Sequence, residues 1–254
     1  MASTAPIVSA FQIVTLGRKD IPQMLALFRE AIPRPQLDRS TYTAPGVERY
    51  LGHLFDFPEL QRQEQLWGLA DPGGDFAAVA HTRRIGHHLH LNNAAVRPAL
   101  QGQGLGGRLL ARWEAMAREA KVAGISLDVA LENKGALRHY QRFGLEEVTV
   151  AYEGQLMEPI SDDAGDEVSL VDWPAAQVSL DAFGFGRFQL VLEGHPHFVD
   201  VTEARFRVGN SDPRVLAALH RIDPDRAIFL RSHTPFPAGK WKPTGAIIRM
   251  IKDF

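Results

Sequence analysis

The sequence predicts an α/β fold with a mixed, mostly antiparallel sheet and flanking helices. Residues 65–96 have the pattern of consecutive strands joined by tight turns, which is typical of antiparallel pairing. Amphipathic helical patterns precede and follow these strands. A glycine-rich loop at 102–107 joins a strand to a helix, and such strand-to-helix connections are a mark of α/β architecture.

The first predicted elements are a strand at 7–16 and a helix at 20–32. Asp20 can cap the start of this helix, and Pro22 suits its first turn. A helical segment is then expected from about residue 45 to residue 60, because apolar side chains recur at i, i+3, i+4, i+7 and i+8. Those side chains are Val47, Tyr50, Leu51, Leu54 and Phe55.

Three strands are predicted next. The strands at 65–70 and 76–84 flank a turn at 71–75, where Asp, Pro and Gly cluster. A second turn at Gly86 leads into a strand at 88–96. Short turns of this kind connect antiparallel neighbours.

A helix at about 104–121 follows the glycine-rich loop, and a strand at 125–131 follows the helix. Apolar residues recur along the helix at helical spacing and are expected to face the core, while arginines occupy the opposite face. The apolar stripe consists of Leu105, Leu109, Trp113, Met116 and Ala120.

The chain is predicted to divide into two units, residues 1–158 and residues 168–254. Residues 159–167 are polar and rich in turn formers, so they are the expected linker. The second unit is expected to be a smaller α+β domain without a glycine-rich phosphate loop. Its predicted elements are strands at 187–193, 197–201, 226–231 and 246–252 and a helix at 213–221.

Composition excludes several classes of protein. The 254 residues, 45% of them apolar, suffice for a sizeable core. A net charge of −2 gives no field that attracts nucleic acid or an anionic membrane, so neither is an expected partner. The absence of cysteine excludes disulfides and thiolate catalysis. Because the apolar stretch at 5–16 lacks a basic leader and no run is long enough to span a bilayer, we expect a cytoplasmic protein.

The glycine-rich loop is the most informative segment. Four glycines at the start of a helix leave backbone N–H groups uncovered near the positive end of the helix dipole, which suits a phosphorylated cofactor. Gly102, Gly104 and Gly107 also have the spacing of a dinucleotide fingerprint. That alternative is disfavoured, because five residues including Pro98 separate the strand from the first glycine.

Two segments resemble motifs of the GNAT-type N-acetyltransferase superfamily. The loop is similar to motif A, with Gln101, Gly104 and Gly106 at the motif positions. Residues 133–145 are similar to motif B, and the strand between the two motifs and their order along the chain also agree. The resemblance covers about residues 7–158. The motif B positions are Asn133, Ala136, Tyr140 and Gly144, with Leu145 where the family usually has Phe.

The resemblance implies an acyl-CoA N-acyltransferase that uses acetyl-CoA as co-substrate to acetylate a primary amine. In this family the motif A strand separates from its neighbour, acetyl-CoA enters the gap, and the loop amides wrap the CoA pyrophosphate. The implied cofactor-binding residues are Ala95, Val96, Arg97, Gln101, Gly102, Gln103, Gly104, Leu105, Gly106, Gly107, Asn133 and Tyr140.

The resemblance also assigns a catalytic role to Tyr140. A phenol at this position is expected to protonate the departing CoA thiolate, because phenol and thiol have similar acidities. The helical spacing of Tyr140 with Ala136 and Phe143 would also suit packing in the core. Asn133 can either contact CoA or cap the helix that follows it.

His90 is the candidate base that removes the proton of the amine, because the family often places Glu or His six residues before the position of Val96. Strict alternation would put His88, His90, Asn92 and Ala94 on one face of the strand. Two alternatives remain open. The histidines can lie at a solvated strand end, or His88 and His90 can bind a metal, although no acidic third ligand lies nearby in sequence and no metal site is predicted.

The acceptor is expected to be a small-molecule or peptide amine, and its identity is open. Alternative functions are a CoA-binding sensor or scaffold without catalysis, or an acyltransferase for longer acyl-CoA or a hydroxyl acceptor. Residues 245–252 are similar to the last strand of many GNAT domains, so the second unit can be a degenerate half-copy of that domain. It can also be an unrelated domain that makes homodimer contacts or closes the acceptor pocket.

Overall fold

The computed structural model describes residues 10–158, 168–236 and 239–254. In these residues twelve strands form one continuous sheet, and helices pack against both of its faces. Neighbouring strands in the described part run antiparallel except for two parallel pairs. The predicted α/β fold with a mixed, mostly antiparallel sheet is confirmed. The predicted linker at 159–167 lies outside the described residues, as does the start of the first predicted strand, 7–9.

The first half of the described chain supplies six strands and six α-helices, in the order that the sequence predicts for its main elements. The strands are β1 Gln12–Thr15, β2 Glu64–Ala70, β3 Phe76–Ile85, β4 His88–Val96, β5 Gly124–Ala130 and β6 Glu146–Leu156. The helices are α1 Ile21–Ala31, α2 Arg34–Leu37, α3 Val47–Gly52, α4 Pro58–Gln63, α5 Leu105–Glu119 and α6 Lys134–Arg142.

The second half of the described chain supplies six further strands and two helices. The strands are β7 Val168–Val171, β8 Phe185–Leu192, β9 His195–Thr202, β10 Arg205–Val208, β11 Ala227–Ser232 and β12 Trp241–Asp253. The helices are α7 Trp173–Phe183 and α8 Pro213–Ile222. Sequence patterns did not predict β7, α7 or β10.

The strand order is β1-β2-β3-β4-β5-β12-β6-β11-β10-β9-β8-β7. The last strand of the chain, β12, therefore lies between β5 and β6 of the first half. In return, β6 pairs with β11 of the second half. Each half thus receives one strand from the other, and the two halves share a single sheet.

The second half repeats the topology of the first. In the first half, antiparallel strands β1 to β4 lead to a parallel pair, β4 and β5, and then to the antiparallel β12. In the second half, antiparallel strands β7 to β10 lead to a parallel pair, β10 and β11, and then to the antiparallel β6. This correspondence supports the interpretation of the second half as a reduced copy of the first.

Helix α5 is fixed across the sheet beside the glycine-rich loop. Trp113 is fully buried, and its Nε1 donates to the carbonyl of Leu89 in β4 at 3.2 Å. Truncating such a tryptophan to alanine costs about 3–5 kcal/mol, so this contact holds the helix firmly on the strand. Ala120, predicted as part of the apolar stripe, is exposed because the helix ends at Glu119.

The predicted helical segment at 45–60 is interrupted. Helix α3 passes into a short 3-10 helix, and α4 starts afresh at Pro58. Phe57 is extended, with φ −133° and ψ 118°, as expected for a residue before proline.

Among the described residues, no helix combines the length and the apolar character that crossing a membrane requires.

Candidate active site

Strands β4 and β5 pair at one end and separate at the other. Their parallel register runs from His88 opposite Gly124 to Leu91 opposite Leu127, and the pairing stops there. Beyond this point β4 continues to Val96 alongside β3, while β5 continues alongside β12. A gap therefore opens between the two strands toward the glycine-rich loop.

A β-bulge at Asn92 marks the point where β4 leaves β5. Thr82 of β3 pairs with Leu91 and His81 pairs with Asn93, so Asn92 is an extra residue in β4. A bulge of this type bends the strand and redirects the side chain of the inserted residue. Asn92 therefore has no pairing partner in β3, and it lies at the point where the gap between β4 and β5 begins.

The bulge exchanges the two faces of β4. Leu91 before it and Ala94 after it both pack against the core on the α5 side, whereas Ala95 joins the core under α1. The expectation that Ala94 shares a face with His90 is wrong, because strict alternation of side chains does not hold across an inserted residue.

The free edge of β4 offers a backbone donor to the gap. The N–H of Arg97 points toward β3 and donates to the carbonyl of Ala77 at 2.8 Å. Because successive residues of an antiparallel strand point their N–H and C=O groups to opposite sides, the backbone groups of Val96 point away from β3 and toward the gap. The carbonyl of Val96 accepts a bond from Gln101 Nε2 at 3.1 Å. The N–H of Val96 is thus directed at the place where the family resemblance implies the acyl carbonyl and the pantetheine arm.

Other predicted residues near this edge have structural contacts. Ala95 pairs with Val79 of β3 and is buried. The guanidinium of Arg97 donates to the carbonyl of Phe76, with Nη2 at 2.7 Å. These contacts hold the end of β4 against β3 and so help to keep the gap open. Contact of either residue with a cofactor stays a prediction.

The glycine-rich loop leaves the start of α5 uncovered. Gly102 and Gly104 have positive φ angles of 76° and 85°, which glycine adopts without strain. Gly104 is the N-cap of α5, and no side chain caps the helix. A Cβ added at Gly102, Gly104 or Gly107 would meet nothing within 4 Å, while Leu105 is buried and anchors the first turn. The open N–H groups suit an anionic group such as a pyrophosphate.

The corresponding place in the second half is closed. The carboxylate of Asp212 caps α8 by accepting a bond from the N–H of Arg214 at 2.9 Å. Strands β10 and β11 stay paired to the end of β10, where Val208 lies opposite Leu230. The place in the second half that corresponds to the glycine-rich loop therefore has neither a gap between the parallel strands nor an uncapped helix start, so the cofactor site is expected in the first half.

Asn133 is the N-cap of α6. Its Oδ1 accepts a bond from the N–H of Ala136 at 3.1 Å. Of the two roles considered from the sequence, the structure gives Asn133 the capping role. A direct contact between Asn133 and CoA stays a prediction.

Tyr140 packs against the core on the α5 side, as does Val96 of β4. Burial raises the pKa of Tyr140 to about 12. Its hydroxyl has no hydrogen-bond partner in the described part of the chain. The phenol therefore stays protonated at neutral pH and can donate, but it is a weaker acid than the sequence-based expectation of a match with the thiol.

His139, beside Tyr140 on α6, brings the two motifs together. A Cβ at Gly106 would lie 3.2 Å from His139 Nε2, so glycine lets the His139 ring approach the first turn of α5 closely. His139 Nε2 and Gln103 Oε1 are both buried, and neither has a hydrogen-bond partner in the described residues. These two atoms near the start of α5 are further candidates for cofactor contacts, and sequence reasoning did not find His139.

His90 lies inside the sheet. It is 3% exposed, and its Nδ1 lies 3.0 Å from Ser126 Oγ of β5. Burial lowers the pKa of His90 to about 4, so the ring is a weak base at neutral pH. His88 instead pairs with Asp253, with Nε2 and Oδ1 2.7 Å apart. Among the described residues, no three His, Cys, Asp or Glu side chains are arranged to hold a metal. The base role of His90 stays a prediction that its pKa does not favour.

A cavity of about 450 Å³, here named the junction cavity, lies where the two halves of the chain meet. Its walls come from β2, β3 and β4 and the segment 39–51 of the first half, and from β8, β9 and β10 of the second half. A volume of this size suits a small-molecule ligand. The lining includes Tyr42, His81 and Asn92 from the first half and Phe185, Asp200 and Arg205 from the second.

Four side chains that line the junction cavity form a linear chain, named here the Asn92–Glu64 chain. Asn92 Nδ2 donates to Tyr42 Oη at 2.7 Å, and Tyr42 Oη lies 2.6 Å from His81 Nδ1. The Asn92 amide nitrogen, which can only donate, also lies 3.4 Å from His81 Nδ1, so Nδ1 of the neutral ring is assigned as an acceptor and Tyr42 as its donor. The proton of that ring then lies on Nε2, which is 3.6 Å from Glu64 Oε2.

The protonation states along this chain follow from its surroundings. Burial raises the pKa of Tyr42 well above its ordinary value. Burial acts to raise the pKa of Glu64 too, but the interactions with His81 and Arg83 outweigh burial and lower it. The chain therefore begins at a protonated phenol and ends at a carboxylate, and His81 between them can accept one proton.

Sequence reasoning missed the Asn92–Glu64 chain. Glu64 and His81 lie close because Leu66 pairs with His81 in the register of β2 and β3. A sequence signal did exist, since His81 follows an unbroken apolar run at 76–80. Tyr42 comes from a segment without regular periodicity, so only the folded structure brings it to His81.

Comparison with known proteins agrees with this geometry. Residues 25–145 match the family model described as Acetyltransferase (GNAT) family. A GCN5-related N-acetyltransferase from Sphaerobacter thermophilus is similar in structure, with a TM-score of 0.61 and 14% identity over 96% of each chain. A tandem GNAT protein from the clavulanic acid biosynthesis pathway has a TM-score of 0.65 and 15% identity, over 96% of this chain and 98% of that one. No curated protein sequence matches the chain.

The matched segment contains the gap between β4 and β5, the glycine-rich loop and the helix that carries Tyr140. Both structural relatives cover nearly all of the chain, including the second half. Residues 25–145 therefore carry the similarity to the GNAT family model, and the chain as a whole has the tandem GNAT fold.

Proposed function

We propose that the protein transfers an acetyl group from acetyl-CoA to the primary amine of an acceptor bound in the junction cavity. The observation that carries the proposal is the position of Asn92. This inserted residue lies where the gap between β4 and β5 opens, and its side chain lines the junction cavity. The space that suits the cofactor and the space that suits the acceptor therefore meet at one residue.

The glycine-rich loop and the free edge of β4 would hold the cofactor. The uncapped start of α5 offers N–H groups to the pyrophosphate, and each hydrogen bond to a charged group contributes about 1.5–3 kcal/mol. The N–H of Val96 would bind along the gap. A few such bonds suffice for micromolar affinity.

The Asn92–Glu64 chain would receive the proton of the attacking amine. The ammonium form of the acceptor first loses a proton to solvent. The neutral amine nitrogen then forms a bond to the thioester carbon, and the proton that it loses passes to Tyr42 Oη while Tyr42 gives its own proton to His81 Nδ1. The carboxylate of Glu64 stabilises the imidazolium that results. This arrangement accounts for the proton better than His90 does, because His81 lines the junction cavity and His90 does not.

Tyr140 would complete the reaction as the general acid. When the carbon–sulfur bond breaks, the thiolate of CoA takes the proton of the Tyr140 hydroxyl. The absence of another partner for this hydroxyl in the described residues supports the assignment. Acetyl-CoA supplies the activated acyl group, and after product release Tyr140 takes a proton from solvent and His81 returns one to it.

The test is release of CoA thiol from acetyl-CoA with a panel of amines, using Tyr42→Phe and, as matched control, Tyr152→Phe on β6, which lies outside the lining of the junction cavity. The Tyr42→Phe variant should lose at least about 10²-fold in kcat, the range for lost acid–base catalysis, and the control should stay within about twofold. Full activity of Tyr42→Phe would refute the relay. Binding of acetyl-CoA without thiol release from any amine would favour a CoA-binding sensor. Faster thiol release from a longer acyl-CoA, or with a hydroxyl acceptor, would show that the acyl group or the acceptor class differs from the one proposed.

A further inference from the structure

The junction cavity is unusually rich in guanidinium groups for a site that would bind an amine. Two carboxylates, Glu64 and Asp200, stand against five arginines, which leaves an excess of three positive charges on the lining. A primary amine is itself a cation at neutral pH, so a bare amine would be repelled by this lining. The arginines are Arg39, Arg83, Arg187, Arg205 and Arg207.

Three of these arginines already have carboxylate partners. Arg187 and Arg207 both bind Asp200, at 2.6 Å and 2.8 Å. Arg39 forms an ion pair with Glu132. These pairs fix the walls of the junction cavity, and their charges are largely compensated within the protein.

Arg83 and Arg205 form no ion pair within 4 Å with a carboxylate in the described part of the chain, although Arg83 acts at longer range on Glu64, and Glu153 and Asp38 act on Arg205. Arg205 donates from Nη2 to the backbone carbonyl of Asp38 at 3.2 Å, and its guanidinium lies 5.3 Å from the ring centre of Phe229. Arg83 is exposed and forms no hydrogen bond or ion pair with any described residue. Arg83 lies on β3 and Arg205 on β10, so the two guanidinium groups without a close carboxylate come from different halves of the chain.

We propose that the acceptor is an amine that also carries an oxyanion, which Arg83 and Arg205 bind while the amine faces the Asn92–Glu64 chain. The inference rests on the proposed function and names its substrate class. An oxyanion supplies the close charged partner that neither guanidinium group has within the described chain, and guanidinium forks bind carboxylate and phosphate with matching geometry. The ionised Glu64 supplies the negative charge that attracts the ammonium end of such a zwitterion.

The experiment compares matched acceptors. A series of ω-amino carboxylates of increasing length is tested against the corresponding amides, and phosphoethanolamine is tested against ethanolamine. Wild type should show at least about a tenfold higher kcat/KM for the anionic member of the best pair, as expected for a hydrogen-bonded charge pair. Whichever pair shows the larger ratio tells whether the oxyanion is a carboxylate or a phosphate. Equal rates for anionic and neutral acceptors would overturn the inference and leave the proposed function standing.

Two variants and a control locate the oxyanion site. Arg83→Ala, and independently Arg205→Gln, should reduce the preference for the anionic acceptor at least about tenfold, mainly through KM. Arg84→Ala removes the same charge one residue along the strand from a side chain outside the lining of the junction cavity, and should keep the preference. A preference that persists in both Arg83→Ala and Arg205→Gln would also overturn the inference.

Glutarate carries carboxylates but no amine, so it cannot be acetylated. Its affinity, measured by calorimetry, therefore tests the oxyanion site independently of the reaction. Wild type and Arg84→Ala should bind glutarate, and Arg83→Ala should bind it at least about tenfold more weakly. If no amine releases CoA thiol while glutarate binds in this pattern, the proposed function fails and the oxyanion site stands. If glutarate does not bind the wild type and no amine reacts, both fail.

Discussion

At the scale of single residues, the insertion of Asn92 into β4 determines how the site is built. Without the extra residue, side chains along β4 would alternate strictly between the two faces of the sheet. The side chain at this position would then pack under α1 or α5. With it, the Asn92 amide holds the hydroxyl of Tyr42 at 2.7 Å and so orients the proton of that hydroxyl toward His81. One bulge therefore places both the cofactor gap and the proton relay.

Tyr140 provides a test of the acid step at this scale. Because burial raises its pKa to about 12, the hydroxyl should be protonated throughout the neutral range and give no titration step in the pH–rate profile there. Tyr140→Phe should lower kcat about 10²-fold or more while the affinity for acetyl-CoA stays nearly constant. Steady-state kinetics and calorimetry with CoA measure the two quantities.

The control for Tyr140 is a change of leaving group. An acyl donor with a more acidic thiol needs less protonation, so Tyr140→Phe should be impaired less with that donor than with acetyl-CoA. An equal loss with both donors, or an unchanged kcat, would remove Tyr140 from the acid step.

His90 provides a test of buried charge. Its pKa is about 4 in the folded protein and about 6.5 in an unfolded chain, so between these values the unfolded chain binds the extra proton. Stability should therefore fall as the pH falls from 7 to 5, by ~2 kcal/mol from His90 alone. Urea unfolding at the two pH values measures the change.

The matched pair for this measurement is His90→Gln and His87→Gln. The first variant removes the buried titrating group and should lose ~2 kcal/mol less than wild type between pH 7 and pH 5. The second replaces an exposed histidine and should behave as wild type. Identical pH dependence in His90→Gln and wild type would show that His90 is not held neutral by the fold.

At the scale of elements, the starts of α5 and α8 differ although they occupy equivalent places in the repeated topology. Gly104 caps α5 without a side chain, whereas the carboxylate of Asp212 occupies the start of α8. The helix dipole can bind an outside anion only at an end that no internal carboxylate already neutralises. On electrostatic grounds this difference favours the start of α5 over the start of α8 as a site for an anionic group.

Gly104→Ala tests that assignment. The φ angle of 85° strains an alanine by about 1–2 kcal/mol, and relief of the strain would turn the N–H groups of the loop away from the cofactor. Affinity for CoA should therefore fall about tenfold or more in calorimetry. Gly194→Ala is the control, because Gly194 has a φ of 77° and open space around it but lies in the second half. Equal CoA affinity of the two variants would contradict the role of the loop.

Elements with strong local patterns could be predicted from the sequence. Strand β4 has the predicted bounds, 88–96. Turn-forming residues lie before and after a run in which polar and apolar side chains alternate, so both ends of the strand are marked in the sequence. Helix α7 was missed although Asp172 and Pro174 repeat the Asp-x-Pro start signal that predicts α1 at Asp20 and Pro22. The bulge at Asn92 was missed because an insertion is set by pairing with β3, which a single strand's pattern does not contain.

At the scale of the whole molecule, the exchange of β6 and β12 makes the two halves one structure. The sequence pattern identified a closing strand at 246–252 but could not say which strands it would join, because that choice depends on competition between distant partners. The placement of β12 between β5 and β6 also explains how the junction cavity forms, since the shared sheet sets the second half against the first. The division into units 1–158 and 168–254 and the homodimer stay predictions.

Strand exchange predicts that the first half cannot fold alone. A chain of residues 1–158 lacks β12, so β5 and β6 lose their shared partner and the core loses Ile248 and Met250, which are 2% and 0% exposed. Losing a buried side chain of this size costs about 2–5 kcal/mol, and the two losses together approach the whole stability of a typical domain. Such a chain should aggregate or unfold without a cooperative transition, as size-exclusion chromatography and thermal unfolding would record.

A reconnected chain supplies the control. Leu156 lies opposite Trp241, and the N–H of Met157 donates to the carbonyl of Lys240 at 3.0 Å, so a short turn can join residue 157 directly to residue 240. The resulting protein keeps β12 in register and loses only the rest of the second half. It should unfold cooperatively and bind CoA, but it should not acetylate the acceptor, because the cavity wall that carries Arg205 is gone. A stable 1–158 fragment with wild-type affinity for CoA would contradict the structural role of β12.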